Sequence, residues 1–298
     1  MAKIGIHNGY WVGTDYSGMF DAMAQAAKAG ADVYELDTWS IYEKSARELA
    51  EIRKCAEDLN LQLICNGGFT PDNDIAADDP AVRQKGIDMA CSVLKNMEAV
   101  GVNSWSGINY SAWLRLPPRP VFTLADKEHY SELSANSLRI IVEAAKNAGV
   151  KYCLEIVNRY EQFLINTVAE GVALAERVGS DNVKLLLDVY HMNIEEDSIT
   201  DAIRYAASKN RIGELHVGES NRRIPGVGAT HIDWASIFGT LQDVGFEGPI
   251  IMEPFVLMGS PLAYDIGVWR DISEGKNSTQ LAADVATGIR FIRSFFKG

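Results

Sequence analysis

The sequence predicts a single-domain α/β protein of the (β/α)8 TIM-barrel class spanning residues 1–298. Three observations predict it. Eight short β-rich runs alternate with eight longer helical patterns. Each of the last four runs ends in an acidic or imidazole residue: Glu155, Asp188, His216 and Glu253. Finally, the chain lacks the Gly-rich fingerprint that an open, doubly wound nucleotide-binding sheet would carry.

The elements follow in order. Strands are expected at 3–8, 33–37, 61–66, 103–108, 151–157, 183–189, 212–217 and 248–253. Helices are expected near 17–29, 44–59, 80–100, 127–148, 166–178, 198–208, 233–244 and 277–296. The first helix reads Met19, Phe20, Met23, Ala26, Ala27, an apolar stripe at spacing three to four. Gly30, Asn60, Gly101, Gly149 and Gly245 supply stop signals after helices. Asp233 is placed to cap the helix after it. Two long connections stand out, the proline-rich Tyr110–Asp126 and Pro254–Lys276. In a barrel both lie on the catalytic face.

Composition narrows the class. The chain has 298 residues, 47% of them hydrophobic, enough for a barrel of about 250 residues. Its net charge of -12 disfavours a nucleic-acid partner, which needs a basic face. No apolar run is long enough to span a membrane. The four cysteines, Cys55, Cys65, Cys91 and Cys153, form no CxxC pair and are expected as reduced thiols. The first residues enter a strand at once, leaving no room for a signal peptide, so a cytoplasmic protein is expected.

Three carboxylates and an imidazole at neighbouring strand ends make an oxygen/nitrogen cage for one divalent cation. A single strand-end Glu could equally pair with a loop Arg. Four such residues on strands 5 to 8 are harder to explain as ordinary ion pairs. Glu161, His191 and Arg222 follow just beyond three of these strands, where they could reach a small polar ligand. Arg159 and Arg223 compete with Arg222, and spacing does not separate them. His191 reads as a loop residue. Aromatic residues gather at the same end: Tyr10, Trp11, Trp39, Trp105, Trp113 and Phe255. Such rings pack on the C–H faces of polyols or serve as lid packing, and Trp113 is the best candidate for a ligand wall. Glu195, Glu196 and Asp197 fit a helix N-terminus, and His129 reads as an exposed helical residue. The stretch Gly218–Gly228 lacks the Lys-Ser/Thr of a phosphate loop.

At these residues the sequence resembles the ketose 3-epimerases, the D-tagatose and D-allulose (D-psicose) 3-epimerase family of xylose-isomerase-like barrels. The resemblance runs nearly end to end. It is carried by Leu-Glu-Ile-Val-Asn-Arg-Tyr-Glu (154–161), Leu-Asp-Val-Tyr-His-Met-Asn-Ile-Glu-Glu (187–196), His-Val-Gly-Glu-Ser-Asn-Arg (216–222), Met-Glu-Pro-Phe (252–255) and Val-Trp-Arg-Asp-Ile-Ser (268–273). It implies Glu155, Asp188, His216 and Glu253 as ligands of one Mn2+ per subunit, with Co2+ or Mg2+ as substitutes. It implies Glu161, His191 and Arg222 as contacts to O1 and O2 of a ketose. His7, Asn66 and Ile108, with Trp39, fall where the family meets the far end of the sugar, and here the chain departs from the family pattern. A homodimer or homotetramer joined through catalytic-face loops is implied as well, with Leu257, Met258 and Trp269 in 254–276 as candidates.

The implied reaction inverts C3 of a free ketohexose or ketopentose through a cis-enediolate. Two bases are needed, one on each face of C3, and Glu155 and Glu253 are the candidates. A sugar or inosose isomerase of the same barrel superfamily, of aldose–ketose or hydroxypyruvate type, is the alternative. A repair endonuclease would need a His-rich multi-metal site, and the chain has only 5 His.

Overall fold

The computed structural model describes residues 2–117 and 121–296. Its strands are β1 (Ile4–His7), β2 (Val33–Asp37), β3 (Gln62–Asn66), β4 (Ser104–Ser106), β5 (Lys151–Ile156), β6 (Val183–Asp188), β7 (Ile212–Val217) and β8 (Ile250–Met252). They close into a parallel barrel in chain order, with β1 paired to β8. Strands buried on both faces need no polar alternation, which is why runs such as Val-Lys-Leu-Leu-Leu-Asp read as nearly continuous apolar segments.

The helices are α1 (Met19–Ala29), α2 (Ala46–Asp58), α3 (Pro80–Val100), α4 (Leu124–Asn147), α5 (Val168–Val178), α6 (Val189–Glu195), α7 (Ile199–Ser208), α8 (Trp234–Asp243), α9 (Pro261–Asp265) and α10 (Ser278–Phe295). Capping boxes start α2, α4, α5 and α10, from Ser45/Glu48, Thr123/Asp126, Thr167/Glu170 and Asn277/Gln280. Asp233 caps α8 as expected. The box at Thr123 starts α4 earlier than the expected 127.

Two differences from expectation bear on the site. His191 lies in a helix, α6, rather than a loop. The Asp188 side chain accepts from the Tyr190 and His191 amides and turns the chain into that helix as soon as β6 ends. The acidic run 195–197 spans the last residue of α6 and the connection to α7, and the expected helix N-terminus is met by Glu196 at α5, an earlier helix, rather than at the next one in the chain. Glu195 pairs with Arg159 at 2.7 Å, and Glu196 accepts from the Val168 amide at the start of α5. In the connection Tyr110–Asp126, residues 118–120 lie outside the described residues. The 254–276 connection carries the short helix α9.

The main core fills the space between barrel and helices. Val33, Ile64 and Ile251 form a separate apolar plug. Gly5 makes room for it, since a Cβ there would lie 2.5 Å from the Val33 carbonyl oxygen and 2.6 Å from Ile251 Cδ1. Farther along β2 and β7 come the buried carboxylates of Glu35 and Glu214. Between β6 and β7 the register slips by one residue, so Leu185 pairs with Ile212 but Leu186 with Glu214. Gly213 is the extra residue. A Cβ there would meet Cys153 Sγ at 2.6 Å and Lys184 Cβ at 2.8 Å, so the irregularity requires glycine. Among the described residues, no helix is long and apolar enough to cross a membrane. All four cysteines are free.

Candidate active site

The ends of β5 to β8 bring Glu155, Asp188, His216 and Glu253 together. One ligand atom from each can be chosen so that all four lie within 4.8 Å of one another, and all four side chains are buried. His216 Nδ1 lies 3.8 Å from Asp188 Oδ2 and 3.7 Å from Glu253 Oε2. Among the described residues it has no hydrogen-bond partner, although it is buried. An orphaned imidazole nitrogen facing carboxylates is the donor set a divalent cation would complete, so the residues present fit a metal such as Mn2+. Asp188 serves two ends at once. Its Oδ1 caps α6, leaving Oδ2 for the cage.

Burial and mutual charge drive the acidic groups apart in proton affinity. Glu155 is raised well above the ordinary carboxylate range by burial and by the neighbouring Glu253 charge. Asp188 is pushed up to about 6 by burial, with Arg222 pulling the other way. Burial also opposes the charge of Glu253, but His216 and Arg222 outweigh it and hold its pKa below the ordinary range. Two glutamates in one site thus have opposite tendencies, the pattern that separates an acid from a base.

Arg222 joins the cage to its surroundings. Its Nη1 donates to Glu253 Oε2 at 2.9 Å, and its Nη2 lies 3.5 Å from Glu161 Oε1. The guanidinium carbon sits 3.7 Å over the Tyr190 ring. Arg222 adopts φ 63°, an unusual backbone state for a residue with a side chain. The competing arginines are engaged elsewhere, Arg159 with Glu195 and Arg223 with Glu274. His191 Nδ1 accepts from the Asn158 amide at 3.2 Å, so a neutral ring carries its proton on Nε2. Burial and the Arg222 charge lower the His191 pKa well below its usual value and keep the ring neutral. Glu161 is held by Trp113 Nε1 at 3.2 Å and by Asn158 Nδ2 at 3.3 Å.

A cavity of about 340 Å³ opens over the cage, within the usual range for a small ligand. Glu155, Glu253, Glu161, His191, Arg222, Trp113, His7, Asn66 and Ile108 all line it. Asp188 and His216 do not line it and are all but fully buried. Of the aromatic residues expected at this end, Trp39, Trp113 and Phe255 reach the cavity, which Phe69 lines as well. Tyr10, Trp11 and Trp105 belong to the core instead. The Trp105 indole donates to the Gly67 carbonyl, and the Tyr10 hydroxyl to that of Leu281. They miss the cavity because position near a strand end does not fix which way a ring points.

Several participants escape a reading of strand ends. Glu35 lies inside β2 with His216 Nε2 3.0 Å from its Oε2. Glu214 lies two residues before His216, pushed up to about 7 by burial and by Glu35. Asn158 orients both His191 and Glu161. The signal for the two glutamates was a charge within an otherwise apolar run, at the parity of the strand's final acidic or imidazole residue.

Residues 23–287 match the family model described as a xylose isomerase-like TIM barrel. The chain is 37% identical over 297 residues to the D-psicose 3-epimerase of Agrobacterium fabrum, covering 99% of this chain and 100% of that one. It is 36% identical over 291 residues to the D-psicose 3-epimerase of Ruminiclostridium cellulolyticum, covering 98% and 97%. It is 34% identical over 278 residues to the L-ribulose 3-epimerase of Mesorhizobium japonicum, covering 91% and 88%. A solved D-psicose 3-epimerase from Clostridium cellulolyticum with D-tagatose superposes with a TM-score of 0.93 at 34% identity, covering 99% of this chain and 100% of that one. Fold, full-length similarity and the residues gathered at the barrel mouth agree: the chain belongs to the ketose 3-epimerase family of xylose isomerase-like TIM barrels.

Proposed function

We propose that the chain is a metal-dependent ketose 3-epimerase that inverts C3 of a free ketohexose or ketopentose. The pairs interconverted would be of the D-allulose/D-fructose, D-tagatose/D-sorbose or L-ribulose/L-xylulose type. The observation that carries this reading is the joint placement of Glu155 and Glu253. Both belong to the cation cage and both project into one sugar-sized cavity.

A divalent ion in the cage, Mn2+ by preference, would act as a Lewis acid for the negative charge that develops on the ketose oxygens. The residues do the rest. In one direction the Glu253 carboxylate, kept ionised by Arg222 and His216, takes the proton from C3. The C–H electron pair passes towards the C2 carbonyl and gives the sugar's cis-enediolate. Glu155, whose environment favours the protonated form, returns a proton to C3 from the opposite face. The reverse reaction exchanges the two roles. His191 Nε2–H, Arg222 and Glu161 would bind O1 and O2 and set C3 between the carboxylates. His7, Asn66 and Ile108 would meet the far end of the sugar, and Trp113 one side. His7 Nδ1 accepts from the Gly9 amide, leaving Nε2–H as that ring's donor.

Association as a homodimer or homotetramer is proposed through the 254–276 loop. Its Met258, Tyr264 and Trp269 are exposed, while Leu262 and Ile266 of the same loop line the cavity.

The test is a panel of ketohexoses and ketopentoses incubated with the protein and Mn2+, with products separated by chromatography. The C3 epimer is expected. An aldose product would favour the isomerase alternative, and no product from any ketose would remove both.

A further inference from the structure

We infer that Glu35 is a positioning residue for the metal cage: its carboxylate holds the Nε2–H of His216 and so turns the Nδ1 lone pair toward Asp188 and Glu253. The inference rests on the metal reading above.

A neutral imidazole carries one proton and can place it on either nitrogen. With the proton on Nδ1, His216 would present an N–H to the cage and could not ligate. The structure supplies an acceptor on the other side. Glu35 Oε1 takes the hydrogen bond of His216 Nε2 at 3.2 Å, while Oε2 lies 3.0 Å from that nitrogen without the alignment of one. Oε1 is itself steadied by the Ser106 hydroxyl at 3.1 Å, and Asn66 Nδ2 reaches that hydroxyl at 3.4 Å. A chain of polar contacts therefore runs from the cavity wall through β4 and β2 to the imidazole.

Glu35 is fully buried, and His216 is its one ion-pair partner among the described residues. A buried carboxylate with so little compensation is a poor device for stability. As the outer partner of a ligating histidine it has a clear use, because such partners fix the tautomer and the ring orientation.

The same three side chains admit a rival reading. Glu35, Glu214 and His216 could themselves surround a cation, and among the described residues both Glu214 carboxylate oxygens lack a hydrogen-bond partner. A neutral imidazole has one lone pair, so His216 cannot serve that site and the strand-end cage together. The orphaned Nδ1 places its lone pair at the cage.

The test is calorimetric titration of metal-stripped protein with MnCl2, comparing the parent with Glu35→Leu, which removes the acceptor at similar size. The parent is expected to bind one ion per chain, and the variant to bind it about 10–100-fold more weakly. Thermal melting of the metal-free variant should show an intact fold, so that a general structural loss is separated from loss of the ligand. Affinity within twofold of the parent would overturn the inference while leaving the metal reading in place. A parent that binds no Mn2+ would instead remove the metal reading itself. Two ions per chain in the parent, with one lost in the variant, would make Glu35 a ligand and overturn its positioning role. Should the variant not fold, the parent loaded with 113Cd and labelled with 15N-histidine still decides. Coupling of cadmium to His216 Nδ1 with a proton on Nε2 is expected, and coupling to Nε2 overturns the inference.

Discussion

Arg222 donates to Glu253 across 2.9 Å, so the cation proposed to bind the sugar is bonded to one of the two proposed proton carriers. Glu253 therefore depends on a loop residue for its ionised state, as well as on His216 beneath it. On the proposed roles, substrate binding and proton abstraction would be linked through this one side chain.

Replacing that side chain should show the link. Arg222→Ala removes a charged hydrogen-bond donor worth about 1.5–3 kcal/mol. An increase in apparent KM for the preferred ketose of roughly 10–100-fold is expected in steady-state kinetics. Arg222→Lys should recover little, because an ammonium cannot reproduce the planar stack on Tyr190. An unchanged KM in the alanine variant would contradict the assigned role.

The two glutamates can be neutralised one at a time. Glu155→Gln and Glu253→Gln should each lower kcat by about 10²-fold or more. Thermal melting should report an intact barrel in both. Formation of the C3 epimer at near-parental rate by either variant would refute a two-carboxylate mechanism.

Asp188 separates folding from metal binding. Asn keeps an oxygen able to cap α6, so Asp188→Asn should preserve the helix and the position of His191. It removes a charge from the cage. Elemental analysis of purified protein should find substoichiometric manganese, and full occupancy would count against Asp188 as a ligand.

Affinity for Mn2+ should rise with pH. In the metal-free cage burial pushes the Asp188 pKa up to about 6. An entering cation must displace that proton, so binding is weak at pH 5 and strengthens through 6 and above. Titrations in buffers of different ionisation enthalpy would measure the proton release. A flat profile between pH 5 and 7 would mean that Asp188 is already ionised before the metal arrives.

Much of this was legible beforehand, for identifiable reasons. The barrel could be read because its strands are buried on both faces and its helices carry strong start and stop residues, such as Ser45 with Glu48 and Gly101 after α3. The cage could be read because Glu155, Asp188, His216 and Glu253 interrupt apolar runs at the same relative place. Helix α6 could not, since Asp188 serves as strand end, cap and cage member at once, and sequence spacing assigns it only one part. Side-chain direction was also hidden. Trp105 looks inviting near a strand end, yet its neighbours turn it into the core, where its ring packs 5.2 Å from Tyr152. Glu35 was concealed for another reason: its partner lies on β7, 181 positions along the chain.

The slip at Gly213 gives the metal proposal an unexpected arithmetic. It sets Asp188 opposite His216. Side chains alternate between the two faces of a strand, so pairing without the slip would put Leu215 opposite Asp188 and send the imidazole outward. A β7 that kept this glycine but paired every residue in step would leave a chain with every ligand still written in it, able to close the same ring of eight strands, yet with the imidazole turned away from the other three. Chemistry here hangs on a count of residues as much as on their kinds.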